Sequence, residues 1–536
     1  MPSNPAQLDR AHVWHPFTQM RDWLRREPIV IASGRGAVLR DTQGREYLDA
    51  NSSIWTNLHG HRHPKLDVAL RRQLGRIAHS SALGLANEPA SRLAAQLVSL
   101  AAPSHNAQGE AGGAPAWAAG FLVDKRGGRA QGISQGQPVE PGSAVPALCA
   151  APPRPLQKVF FSDDGSTALE VALKLAYEFA RRTRGPRTAP RFLALEGAYH
   201  GDTVGAVSLG HIDLFHQAYA GLLFKSDAVL APYCYRCPFN RATPERADAR
   251  DYRRCNWECV NLIERKCAAR QRRGQPYAGF VFEPLIQGAA GLIAQPAGWL
   301  GRAAQITRGH GALLIADEVM TGFGRCGPGA SEARTRKSDP LFACQHEQVA
   351  PDFLCLAKGL TGGYLPMAAT LTTQAVFDAF LGEYEEFKTF FHGHSYTANQ
   401  LGAAAGLASL DLLKSPASLT ARRRIERELR AGLQHLWTLP HVGDIRQVGL
   451  VAGVELVRDW QTREPLALRE RAGIRVCEAL ARRGVLTRPI GNVIVLMPPY
   501  CTTLRQLQRM VGALHDSIQE QLGPGGSPPG RPAPPR

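Results

Sequence analysis

Leu313-Leu-Ile-Ala-Asp317-Glu318-Val-Met-Thr321-Gly322-Phe-Gly-Arg325, followed by Pro351-Asp-Phe-Leu-Cys-Leu-Ala-Lys358-Gly-Leu-Thr-Gly-Gly363, decides how this chain folds. Each half is an apolar run of strand length that stops at an acid or a lysine and then enters glycines. Strands of a parallel sheet covered on both faces are apolar throughout, and their reactive groups emerge at the carboxyl end, where ligands bind. Asp317 and Lys358 are therefore expected to meet over one ligand. An amine that can form a Schiff base and a carboxylate for a pyridine nitrogen are what pyridoxal 5′-phosphate requires of a protein.

Working outward, Val159-Phe-Phe-Ser-Asp163-Asp-Gly165-Ser166 runs into a segment with apolar residues at helical spacing as far as Ala180. A strand turning through Gly165 into a helix puts backbone N–H groups and the Ser166 hydroxyl at a helix N-terminus, which attracts phosphate. An ordinary capping serine is the other reading of the same residues. After the apolar run Phe192-Leu-Ala-Leu comes Glu196-Gly-Ala-Tyr199-His200-Gly-Asp202-Thr203, where Tyr199 is placed to lie against a cofactor ring.

The rest of the composition is that of a globular enzyme. The chain has 536 residues, 44% apolar and 20% charged. That is about three average domains. No apolar run is long enough to span a bilayer, and the first residues have no secretory apolar core, so no membrane association and a cytoplasmic location are expected. Eleven cysteines in a long chain fit a reduced compartment. The net charge of +17 is carried by short arginine clusters on segments that read as surface helices, with no nucleic-acid-binding motif. Ser104 to about Pro155 and Gly523–Arg536 are rich in Gly, Ala and Pro and read as a flexible insertion and a disordered tail. Gly327–Leu341 is a shorter polar insertion.

In this order, Asp-Gly-Ser before a helix, Tyr-His-Gly-Asp, Ala-Asp-Glu-Val-Met-Thr-Gly-Phe-Gly-Arg and Lys-Gly-Leu-Thr-Gly-Gly resemble the class III pyridoxal-phosphate aminotransferases. His12-Val-Trp-His-Pro-Phe17-Thr-Gln-Met20, Asn51-Ser-Ser-Ile54-Trp55, Phe390-Phe-His-Gly393-His394-Ser395-Tyr396 and Leu486-Thr-Arg488-Pro489 are similar to the branch that makes 7,8-diaminononanoate for biotin. The resemblance implies an α/β fold of the type I transferase kind. It has a large domain with a mostly parallel seven-stranded sheet and a small α+β domain from both chain ends. The corresponding divisions are residues 1–60, 61–412 (with 104–155 as the insertion), 413–522 and the tail 523–536.

It also implies roles. Lys358 would bond the cofactor and then move the substrate proton; Asp317 would keep the pyridine nitrogen protonated. Gly165, Ser166 and Tyr199 would hold the cofactor, and His394 and Ser395 would reach the phosphate of the other subunit in a homodimer. Phe17, Ile54, Trp55, Tyr199, Asp202, Gly393 and Arg488 would line the substrate site, with Arg488 gripping the carboxylate of 8-amino-7-oxononanoate. The amino donor is expected to be S-adenosylmethionine or lysine. Phe17 and Val495 stand where other members have tyrosines, which marks these two positions as choosing the donor.

The alternative activity is transamination of another ω-amino acid or semialdehyde, and beyond that a binding protein that has kept the fold. Cys234, Cys237, Cys255 and Cys259 have roughly zinc-site spacing, but are read as reduced surface thiols with no metal. His59, His61 and His63 are read as packing residues. Glu283, at another strand end, is expected to order the cofactor surroundings.

Overall fold

The computed structural model describes residues 4–102, 154–185, 189–328 and 339–523. Apart from Arg154 and Pro155 the expected insertion lies outside the described residues, as does the tail beyond Gly523 and most of the 327–341 insertion.

Seven short segments form the central sheet: β1 (Leu156–Ser162), β2 (Phe192–Leu195), β3 (Asp227–Val229), β4 (Gly279–Phe282), β5 (Leu313–Asp317), β6 (Phe353–Leu356) and β7 (Ala368–Thr373), in the order β1-β7-β6-β5-β4-β2-β3. From β3 to β6 every pairing is parallel. Only β7 runs antiparallel to its neighbours β6 and β1. Every residue of β2, β4, β5, β6 and β7 is buried, which is why these segments read as unbroken apolar runs rather than alternating ones. The mostly parallel seven-stranded α/β architecture is the one expected.

The helix Gly165–Arg184 covers one face. It buries Leu169, Ala172, Leu175, Ala176 and Phe179, and places Arg181, Arg182 and Arg184 in its last turn, where the helix dipole favours cations. Its cap is Asp164: the carboxylate accepts the Thr167 N–H at 2.9 Å, and the Thr167 hydroxyl accepts the Asp164 N–H at 2.9 Å. This reciprocal box corrects the capping reading of Ser166 and leaves that hydroxyl free for other partners.

Both chain ends build the smaller α+β part. The antiparallel strands Ile31–Arg35, Val38–Asp41 and Glu46–Asp49 are completed by Val485–Leu486, which joins Glu46–Asp49 in parallel. A second sheet contains Val442–Val448, Val451–Asp459, Val493–Leu496 and Pro489–Ile490. Within it the buried Arg446 bonds Asp444 (2.8 Å) and Glu455 (2.5 Å), and also donates to the carbonyls of Gly291 (2.6 Å) and Leu292 (2.9 Å). A buried guanidinium is tolerable only when paired in this way. The result ties the loop after β4 to the small sheet, and that loop borders the site.

Candidate active site

A cavity of about 450 Å³ opens at the carboxyl ends of β4, β5 and β6, against the first turn of Gly165–Arg184. Asp317 ends β5 and is buried. One carboxylate oxygen lies 2.7 Å from Nδ1 of the buried His200, and the other accepts the Val319 N–H at 3.0 Å. Glu318 points the other way because strand side chains alternate. It is fully buried, accepts the N–H groups of Ala343 and Cys344, and burial raises its carboxyl to about 7. Of the two adjacent acids, only Asp317 serves the cavity.

Lys358 follows β6 and lines the same cavity. Its φ of +43° lies in the left-handed region, and Gly362 and Gly363 just beyond are also at positive φ. Burial depresses the amine below its ordinary value, while Asp317 and Glu283 oppose that shift. A depressed amine has more of the nucleophilic free base at neutral pH. Its Nζ stands 4.7 Å from the ring centroid of Trp55.

Trp55 sits there because Ser52, Ser53, Ile54 and Trp55 all have positive φ, between +47° and +70°. A left-handed turn without glycine costs roughly 1–2 kcal/mol per residue, so its surroundings must impose it. The Ser52 hydroxyl donates to the Met497 carbonyl at 2.6 Å, and the Ser53 N–H and hydroxyl both donate to Asp49, at 2.9 and 2.8 Å. Asp49 also pairs with His61 at 3.0 Å. The buried Arg325 donates to the carbonyls of Asn57 (3.1 Å) and Pro498 (3.0 Å). His59 bonds the Ser409 hydroxyl and His63 caps the helix Pro64–Leu74. The three histidines thus have separate hydrogen-bond partners, and His59 and His63 meet edge to face at 6.0 Å.

At the other wall, the Asp202 N–H donates to the Ser166 hydroxyl at 3.2 Å, and the Tyr199 hydroxyl donates to the Asp202 carboxylate at 2.6 Å. Phe17 meets the Tyr199 ring edge-on at 6.4 Å. Four residues singled out in the sequence, 17, 166, 199 and 202, are therefore one contiguous set. Gly201 makes this possible: at its φ of +124°, a Cβ would lie 2.1 Å from the Ser166 hydroxyl oxygen. Gly201→Ala is expected to destabilise the protein by about 2–3 kcal/mol and to weaken cofactor retention, measured by denaturant unfolding and by the bound-cofactor absorbance. Wild-type values for both would show that Ser166 does not need this close approach.

Other expected residues stand apart from this cavity. Ile54 is exposed on the left-handed turn beside Trp55. Gly393 and Ser395 are exposed, and His394 pairs at 2.7 Å with Asp163, which lines the rim. Arg488 is exposed outside the lining, with no carboxylate partner among the described residues. Val495 is 1% exposed and packs with Met320 and Met497. It is not among the residues that line the cavity.

Cys234, Cys237, Cys255 and Cys259 are free thiols. Asn240 ties their two segments together, donating to the Cys234 carbonyl and accepting the Arg254 N–H, each at 2.9 Å. Among the described residues, no group of three or more His, Cys, Asp or Glu side chains is arranged to hold a metal ion. No helix among them is long and apolar enough to cross a membrane.

His200 had gone without a role, and Glu283 without a partner. Glu283 lines the cavity near Asp317 and Lys358, buried, with one oxygen accepting the Gly288 N–H at 2.7 Å. The available signal was position: His200 adjoins Tyr199, and Glu283 ends a buried strand as Asp317 does.

A doubly covered, mostly parallel sheet with a lysine, an acid and a helix start converging on one cavity defines a class of group-transfer enzyme. The chain belongs to the class III aminotransferases, whose family model matches residues 20–118 and 137–518. It is 45% identical over 95% of its length to the adenosylmethionine-8-amino-7-oxononanoate aminotransferase of Nitratidesulfovibrio vulgaris, covering 81% of that protein. To the protein of the same name from Geobacter sulfurreducens it is 42% identical, over 96% of this chain and 97% of that one. The crystal structure of the Methanocaldococcus jannaschii enzyme of that name superposes with a TM-score of 0.77 at 34% identity, over 96% and 98% of the two chains. A PLP-bound amine transaminase from an uncultivated Pseudomonas species superposes with a TM-score of 0.75 at 29% identity, over 95% and 98%.

The class depends on pyridoxal phosphate, and the groups around the cavity fit it. The helix start at Gly165 and Ser166 suits a phosphate, Asp317 supplied with a histidine suits a ring nitrogen, and Lys358 is a half-buried amine with no direct ion pair among the described residues. His200 Nε2 and Trp55 Nε1 are buried with no hydrogen-bond partner among the described residues.

Proposed function

We propose that this chain transfers an amino group to 8-amino-7-oxononanoate, giving 7,8-diaminononanoate in biotin synthesis, with S-adenosylmethionine as the donor and lysine as its rival. The observation that carries this reading is near-full-length identity of 42–45% to proteins of that name in a chain whose cavity has the lysine, acid and helix start together.

Bound pyridoxal phosphate supplies an electron-accepting ring that makes the substrate's α-hydrogen acidic. The rest falls to the chain. Lys358 is the amine that would bond the cofactor and, when free, would carry the substrate's proton. Asp317, held by His200, would face the ring nitrogen. Gly165 and Ser166 would anchor the phosphate, while Tyr199, oriented through Asp202, and Trp55 would wall the reacting centre; Phe17, against the Tyr199 ring, and Ile54, beside Trp55, would complete the substrate side. Arg488, exposed outside the lining, would take the substrate carboxylate, and Gly393, His394 and Ser395 would serve the site of a second subunit.

Support for a homodimer comes from the surface around that segment. Tyr384, Phe387, Phe391 and Tyr396 are exposed, as are Leu83 and Leu85 on the neighbouring stretch, where His79 bonds the Ser395 carbonyl at 2.9 Å. A monomer rarely leaves so many large apolar groups in water. On the same reading residues 61–412 form the catalytic domain, 1–60 and 413–522 form the smaller one, and the enzyme works in the cytoplasm.

The purified protein, given 8-amino-7-oxononanoate with S-adenosylmethionine, lysine or glutamate in parallel, is expected to form diaminononanoate with the highest kcat/KM for S-adenosylmethionine. Arg488→Ala should raise KM for the keto substrate roughly 10- to 100-fold, the loss of a charge-assisted pair, with little change in kcat. No product from any donor, together with turnover of ω-amino acids, would transfer the protein to the broader transaminase group.

A further inference from the structure

Among the described residues that line the cavity, Glu283 is the one buried carboxyl that the reaction described above does not use. It ends β4 as Asp317 ends β5, and it is 6% exposed. One oxygen accepts the Gly288 N–H at 2.7 Å; the other, Oε1, is buried with no hydrogen-bond partner among the described residues. The charged or titratable groups facing it are His200 and Asp317, and its charge in turn reaches the Lys358 amine. Two buried carboxyls, one buried imidazole and one half-buried amine therefore share one wall of the cavity. So placed, two adjacent carboxylates do not ionise independently.

We propose that Glu283 is a positioning residue for the reaction: through its charge in the shared cavity it sets the protonation state of the Lys358 amine, while Asp317 is reserved for the ring nitrogen. The physical basis is the unpaired oxygen beside a partly desolvated amine. A carboxylate there holds the proton on Lys358, and a neutral carboxyl releases it. Burial pushes the Glu283 carboxyl up from its ordinary range, with Asp317 adding to the shift and His200 opposing it. The group can therefore change charge within the working pH range. Its bond to Gly288 also shapes the turn that carries the loop after β4, so the test must separate charge from shape.

This inference rests on Lys358 being the reactive amine. The readout is the pH profile of Lys358 acylation by a small anhydride pulse, followed by peptide mass spectrometry. The sample is full-length protein with its cofactor in the aminated form, which leaves the lysine free. Glu283→Gln keeps an acceptor for Gly288 and removes the charge. It is expected to lower the apparent Lys358 pKa by about one unit, so that labelling at a fixed pH below it rises up to roughly tenfold. Glu283→Asp keeps the charge and loosens the Gly288 bond, and should stay within about twofold of wild type. A Gln profile that superposes on wild type, or equal shifts in both variants, would overturn the proposal. None of those results would touch the transaminase reading, which fails instead if Lys358 is not the residue bonded to the cofactor.

Discussion

Lys358→Ala is expected to lower kcat by at least about 10³-fold and to abolish the borohydride-reducible bond between protein and cofactor. Two contributions disappear together, the covalent attachment and the proton carrier, and each belongs to a class of effect worth orders of magnitude. Among the described residues, Lys358 is the only lysine in the cavity lining, so no other lysine there can substitute. The measurements are steady-state turnover and mass analysis of the reduced adduct. A reduced adduct mapped to another lysine in the variant would refute the assignment. Cofactor should still bind, more weakly, through the phosphate seat at Gly165 and Ser166.

Asp317→Asn is expected to keep the cofactor attached but to cost about 10²–10³-fold in kcat, the scale on which removal of one oriented electrostatic partner is felt in a closed site. The substitution is nearly isosteric, so the Val319 contact survives while the charge and the 2.7 Å pairing with His200 change character. Cofactor content by absorbance and kcat by direct assay separate binding from chemistry. A variant within about fivefold of wild type would mean that the ring nitrogen does not depend on this carboxylate.

Much of the site could be read before the fold was known because buried parallel strands leave their chemistry at one end. Asp317 and Lys358 announce themselves as polar interruptions of apolar runs, and the helix start at Gly165 and Ser166 follows from the change of period from strand to helix. Pairings across long sequence distances were invisible. His200 finds Asp317 from 117 residues away, and no local pattern marks that partner. The left-handed turn at Ser52–Trp55 was hidden for a different reason. Ser-Ser-Ile-Trp contains no glycine, and its local preference runs against the conformation that Asp49, Arg325 and the Met497 carbonyl impose.

The small sheet pairs Leu48 with Val485, and Ser52 bonds the carbonyl of Met497. A growing polypeptide therefore completes the seven central strands, the last of which ends at Thr373, well before Met497, which helps to fix Trp55 over Lys358, is made. At ~5–20 residues per second, the interval amounts to several seconds or more. Throughout that time an apolar cavity with a reactive amine stands without its tryptophan wall. Closing contacts of such long sequence separation is slow, and Trp55 is held in place only once the two distant segments meet.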